Sequence, residues 1–166
     1  MIKKIIIDTS PIIFLSKIGY IEIINNLFPS KISILKSVIH ELFNHVIPPD
    51  EKIEIENFIK NNNSIDYSKT SINSSTLSST DNMIITYAIQ KKLQLIITDD
   101  NFIRKVARNQ NIYSIGTLGM LIKCVEKKIL KSDIAIKLIN DLIDKYDLRI
   151  SLDVYKDIID NLKNLK

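Results

Sequence analysis

The chain has 166 residues, 45% apolar and 25% charged, a balance that suits one globular domain and excludes a disordered chain. Its net charge of +4 and pI near 9.0 are compatible with a polyanionic partner without identifying one. A lone cysteine, Cys124, excludes an intrachain disulfide; among Leu121, Ile122 and Val125 it is expected to be a small core residue, not a nucleophile.

Met1-Ile2-Lys3-Lys4 followed by isoleucines 5–7 imitates the start of a signal peptide, but Asp8 ends the apolar run too early. No stretch approaches the roughly 18 apolar residues of a membrane span. A soluble, cytoplasmic protein is expected.

Residues 5–7 read as a short strand buried on both faces and ending at Asp8. Ser10 is expected to cap a helix over 11–18, with Pro11 at its first position and Gly19 as its stop. A helix over 20–27 and a strand over 31–35 follow. Ser37 is expected to cap a third helix carrying Val38, Ile39, Leu42, Phe43 and Val46, stopped near Pro48-Pro49. Residues 50–60 form an amphipathic helix and 64–67 a strand, and the Ser/Thr/Asn-rich stretch 69–76 is a loop. Next come a helix over 78–91, a strand over 93–98, a helix over 101–109 and a last strand over 112–115. The final third is helical at 118–127, 132–146 and 151–165.

Apolar strands alternating with helices predict a three-layer α/β/α sandwich around a parallel sheet. One domain is expected over 1–166, with its core at about 1–116 and a helical extension at about 117–166. An apolar patch on that extension would serve a homodimer.

Ligands of open α/β sheets bind beyond the carboxyl ends of strands, where strand order reverses. Asp8 ends the first strand, and Thr98-Asp99-Asp100 follows the strand containing Leu95-Ile96-Ile97. Glu41 and Asp81 lie near the starts of helices. With Ser10 as cap, Asp8 is left without a structural task, which favours function. Asp81 divides evenly between a Ser78-x-x-Asp81 capping box and an inward carboxylate on the stripe of Ile84, Ile85 and Ala88. Glu41, at the edge of its stripe, reads first as a solvated flank residue. One of Asp99 and Asp100 should cap the helix at Asn101, freeing the other.

Such carboxylates are hard oxygen donors, suited to Mg²⁺ or Mn²⁺ rather than zinc. His40 and His45 are too few for zinc and read as surface or boundary residues. With only Gly19, Gly116 and Gly119, neither a P-loop nor a dinucleotide fingerprint can be built, and no acyl-transfer triad is visible. Arg104 and Arg108, one turn apart, either contact phosphates or form a solvated face opposite Phe102, Val106 and Ala107.

The ordered set Ile7-Asp8-Thr9-Ser10, Val38-Ile39-His40-Glu41-Leu42, Asp81 with Ala88, and Leu95 to Asp100 with Phe102 resembles the PIN-domain nucleases. The spacing is most similar to the branch with a Gly-Thr-Leu-Gly segment, here Gly116-Thr117-Leu118-Gly119. The resemblance covers nearly the whole chain. It implies strand order 3-2-1-4-5 and a metal-dependent endoribonuclease acting on single-stranded RNA. The catalytic residues it implies are Asp8, Glu41, Asp81 and Asp100. Asp8, Asp81, Asp100 and Asp99 would serve as Mg²⁺ or Mn²⁺ ligands, with Ser10 and Thr98 ordering the site. It further implies the toxin of a toxin–antitoxin pair, inhibited by a small antitoxin protein. Relatives of this branch often carry Gly-Glu where this chain has Thr80-Asp81. Of the two neighbouring aspartates, Asp100 is favoured as ligand because it sits two residues after Thr98.

A silent RNA- or protein-binding module on the same fold is the alternative reading. A phosphatase or receiver domain ranks last, because Ser10 stands where such a phosphatase needs a second aspartate. The nuclease reading requires the side chains at 8, 41, 81 and 100 to share one pocket.

Overall fold

Strand β1 (Ile5–Ile7) is apolar and buried at every position, as a strand covered by helices on both faces must be. The computed structural model describes residues 4–70 and 78–165. Four more strands, β2 (Ser33–Leu35), β3 (Asn63–Ile65), β4 (Leu95–Ile97) and β5 (Tyr113–Ile115), join β1 in one parallel sheet. Their order is β3-β2-β1-β4-β5. Burial follows position: β1 and β4 are buried throughout, whereas the edge strands β3 and β5 begin at exposed residues.

The helices are α1 (Thr9–Lys17), α2 (Ile23–Leu27), α3 (Lys36–Leu42), α4 (Pro49–Asn61), α5 (Ser79–Gln90), α6 (Asn101–Asn109), α7 (Thr117–Glu126), α8 (Ser132–Tyr146) and α9 (Leu152–Asn164). The chain first steps outward from β1 to β2 and β3, then returns past β1 to β4 and β5. Right-handed crossovers in opposite directions place the two sets of helices on opposite faces. The packing agrees, for α1 meets α3 and α4 while α5 meets α6. The C-terminal helices close over the first face, with α7 against α2 and α1, α8 against α7 and α1, and α9 against α8. Cys124 is fully buried there, and burial pushes its thiol up to about 11, unreactive at neutral pH. Among the described residues no helix is long and apolar enough to cross a membrane.

Helices α6 and α8 have the expected bounds, Ser78 caps α5 in the capping box that was one of the two readings of Asp81, and Ser151 caps α9. Other expectations need correction. Helix α1 starts at Thr9 and its cap is Asp8, not Ser10, because the Asp8 carboxylate accepts from the first backbone N–H of the helix. Pro11 then falls at the third helical position, where an N–H would still lack an intrahelical partner. Helix α3 starts at Lys36 after an extended Leu35, so Ser37 lies inside it and does not cap it. It ends at Leu42, leaving Val46 fully exposed. The second helix is shorter than expected. Of the expected loop at 69–76, residues 71–76 lie outside the described residues.

Candidate active site

Strand order reverses between β1, which leads out to β2, and β4, which leads out to β5. The crevice beyond their carboxyl ends is where such sheets bind ligands. Asp8 stands there, only 5% exposed. One carboxylate oxygen accepts the Thr9 N–H at 2.6 Å, and the other accepts the Thr98 hydroxyl at 2.7 Å. Burial raises the Asp8 carboxyl from 3.8 to about 6, against those two hydrogen bonds and with the help of the negative charges of Asp81 and Glu41. Among the described residues, both charged neighbours that act on Asp8 are therefore anionic.

Glu41 lies in the last turn of α3, not near its start, and is half-buried rather than a solvated flank residue. Its Oε2 accepts the Thr9 hydroxyl at 2.7 Å. Thr9 thus ties two carboxylates together, one through its N–H and one through its hydroxyl. Asp81, at the third position of α5, completes the capping box: its N–H donates to the Ser78 hydroxyl and its Oδ2 accepts the Ser78 N–H, each at 3.1 Å. The capping role and the action on Asp8 coexist, so the two alternatives for Asp81 do not compete.

Thr98 is fully buried and joins the two sides of the crevice. Its hydroxyl donates to Asp8 and accepts the Asp100 N–H at 3.1 Å. Asp100 is exposed and caps α6 by accepting the Ile103 N–H at 2.7 Å. Its neighbour is not freed by this, contrary to expectation. Asp99 turns to the start of α7, accepting the Thr117 N–H at 2.8 Å and the Thr117 hydroxyl at 2.5 Å. Burial raises its pKa, opposed by Thr117 and by the nearby Arg104. A Cβ on Gly116 would stand 2.5 Å from Asp99 Oδ1, so the glycine is what lets the carboxylate reach Thr117.

Ser10 lies half-buried in the first turn of α1, where Thr9, not Ser10, holds the carboxylates. On α6, Arg104 is half-buried and Arg108 exposed. The buried residues of that helix are Ile103 and Ala107, while Phe102, expected on the covered side, is 39% exposed. His40 and His45 are both exposed.

Among the described residues, no three His, Cys, Asp or Glu side chains stand close enough to hold a metal ion as they are. The donor set nonetheless fits a hard cation. Mg²⁺ commonly takes only one or two carboxylates and fills its shell with water and substrate phosphate. Asp8 is buried beside two anions, a repulsion that a cation would relieve.

Thr9, Gly116 and Thr117 carry roles that sequence reasoning did not assign. The signal for Thr9 was its place beside a strand-end aspartate; for the other two, it was a Gly-Thr pair following the strand next to β4.

A model of the PIN-domain family matches residues 4–164. No curated protein gives a significant match to the sequence. PIN domains are generally nucleases that act on nucleic acid with divalent metals, and here the fold, the strand order and the match agree: the chain belongs to the PIN-domain family.

Proposed function

We propose that this protein is a divalent-metal-dependent endoribonuclease that cleaves single-stranded RNA in the cytoplasm. The observation that carries the reading is Asp8: a buried carboxylate at the switch point of the sheet, held by two hydrogen bonds and faced by two further anions. In this reading Asp8 is the central ligand, and Asp81 and Asp100 reach the ion only by moving their side chains, since no three acids among the described residues stand close enough as they are. Asp99 is left out because Thr117 engages both its oxygens. Bound Mg²⁺ or Mn²⁺ would supply activation of a water and charge stabilisation on the phosphoryl oxygens. Thr98 fixes the Asp8 carboxylate, and Thr9 fixes Glu41. In this reading Glu41, with one oxygen oriented by Thr9, or else Asp81 would accept the proton of the attacking water.

The test is cleavage of single-stranded RNA with Mn²⁺, abolished by EDTA and by Asp8→Asn. Intact RNA at high enzyme concentration with Mn²⁺ present rules the proposal out. The proposed physiological role is the toxin of a toxin–antitoxin pair, with a small antitoxin protein as partner and a homodimer as the working form. It requires a short open reading frame of antitoxin size beside the gene, whose product relieves the growth arrest caused by this chain.

A second reading, a silent RNA- or protein-binding module, draws on the absence of a closed three-ligand cluster among the described residues and on Asp81's engagement in its capping box. It predicts RNA or partner binding that survives Asp8→Asn, with no cleavage under any metal.

A further inference from the structure

Only three of the 23 basic residues are arginine: Arg104, Arg108 and Arg149. All three line two adjoining cavities along the edge strand β5. One, of about 700 Å³, is lined by Asp99, Arg104, Ser114, Gly116 and Arg149 and floored by apolar residues of α7 and α9. The other, of about 430 Å³, shares Arg104 and Ser114 and continues past Arg108 to Tyr113 and Asn111. The wider cavity begins at Asp99 and Gly116, at the same end of the sheet as Asp8. The narrower one continues toward the start of β5.

The chemistry of this groove is specific. None of the three arginines forms an ion pair within 4.0 Å among the described residues. The one acid lining the groove among the described residues, Asp99, spends both oxygens on Thr117 and feels Arg104 only from beyond ion-pair distance. A planar guanidinium with free donors matches phosphate oxygens two at a time, which an ammonium does not. Tyr113 is 75% exposed beside Arg104 and Arg108, a flat face on which no aromatic ring or cation of the described residues stacks. Guanidinium groups above an apolar floor, with an open aromatic ring at one end, suit a ligand with phosphates on one side and unpaired bases on the other. A duplex presents the phosphates but hides the bases.

From this arrangement we infer that the edge of the sheet at β5 is a binding track for single-stranded nucleic acid, which leads the strand past Arg108, Arg104 and Arg149 toward Asp100 and Asp8. The track rests on the proposed nuclease reading for its purpose, but not for its existence.

The experiment is fluorescence anisotropy of a labelled single-stranded oligoribonucleotide with the full chain in EDTA, titrated over a range of salt. Replacing all three arginines by alanine should weaken binding at least tenfold. It should also reduce the slope of log affinity against log salt by about 2, at roughly 0.7 per lost phosphate contact. The Arg→Lys triple variant should recover only part of the loss, and Tyr113→Ala should weaken binding several-fold while Tyr113→Phe does not. Alanine at Lys91, Lys137 and Lys156, three exposed residues away from the groove, controls for net charge. Binding by the arginine-free protein within twofold of the parent overturns the track, and so does an equal loss in the lysine control. Should the triple variant melt early, Arg149→Ala alone, in the segment between α8 and α9, carries the same test with a two- to threefold loss expected. Arginine-dependent binding without cleavage in Mn²⁺ would uphold the track and sink the nuclease, whereas cleavage with unchanged KM in the triple variant would do the reverse.

Discussion

Asp8 and Asp99 are held in almost the same way. Each accepts one backbone N–H and one threonine hydroxyl, and burial raises the pKa of each. They differ in the sign of the charge nearby. Asp8 is faced by Asp81 and Glu41, Asp99 by Arg104. Hydrogen bonding therefore accounts for how a buried carboxylate is kept in place, and the surrounding charge is what sets the two apart. Asp99 is complete within the protein and fastens the β4–α6 connection to the start of α7. Asp8 has both oxygens hydrogen-bonded but faces only like charge, and in the proposed reading a cation offsets it.

The largest expected effect separates the two directly. Asp8→Asn keeps the shape but removes the charge, so cleavage of RNA in Mn²⁺ should fall by two to three orders of magnitude, in the range for loss of a principal charge-stabilising group. The melting temperature should hold or rise, since a repelled charge has been removed. Asp99→Asn should leave the cleavage rate within a few-fold of the parent. Equal losses of activity in the two variants would erase the distinction.

Stability against pH sharpens the same comparison. A carboxyl raised from 3.8 to about 6 on folding favours the folded state while protonated, so its contribution is full below about 4 and is lost as pH rises through 6. The loss amounts to about 3 kcal/mol at most, at roughly 1.4 kcal/mol for each pH unit between those two values. Denaturant melts of the metal-free parent and of Asp8→Asn should diverge over this window, with the parent declining more steeply. Saturating Mg²⁺ should flatten the parent's decline, because a bound cation favours the ionised form. Parallel curves for parent and variant would show that Asp8 does not carry the buried charge.

The Asp99 tie is tested at Gly116. Gly116→Ala places a Cβ 2.5 Å from Asp99 Oδ1 and 3.2 Å from the Thr98 carbonyl oxygen, and should destabilise by about 1–3 kcal/mol. Combining it with Asp99→Ala should cost less than the sum, with a coupling of at least about 0.5 kcal/mol. Strict additivity would mean that the glycine answers to the backbone alone.

Several of these features were readable in the residues themselves. The carboxylate at the end of an all-isoleucine strand and the Ser78–Asp81 spacing are local patterns, and the structure keeps both. Periodicity located the helices but could not order the strands; that order came through the family resemblance. The site was harder to read wherever one side chain does two things. Asp8 caps α1 with one oxygen and accepts Thr98 with the other, so assigning the cap to Ser10 misplaced the helix start. Glu41 looked like a flank residue because its partner lies 32 positions earlier, beyond any helical period. Thr117 lies 18 residues from Asp99 and meets it only because β5 pairs with β4.

The smallest expected effect concerns Thr9, which holds both Asp8 and Glu41. Thr9→Val keeps the backbone N–H on Asp8 and removes only the hydroxyl on Glu41. The folded state should lose about 0.5–1.5 kcal/mol, the net worth of one such hydrogen bond. If Glu41 handles the proton of the attacking water, the loosened carboxylate should lower kcat several-fold while KM stays unchanged, since no contact to the bound strand is removed. Thr9→Ser keeps the hydroxyl and should restore most of the rate. A rise in KM with kcat intact would instead place Glu41 among the groups that bind RNA, leaving the proton to Asp81.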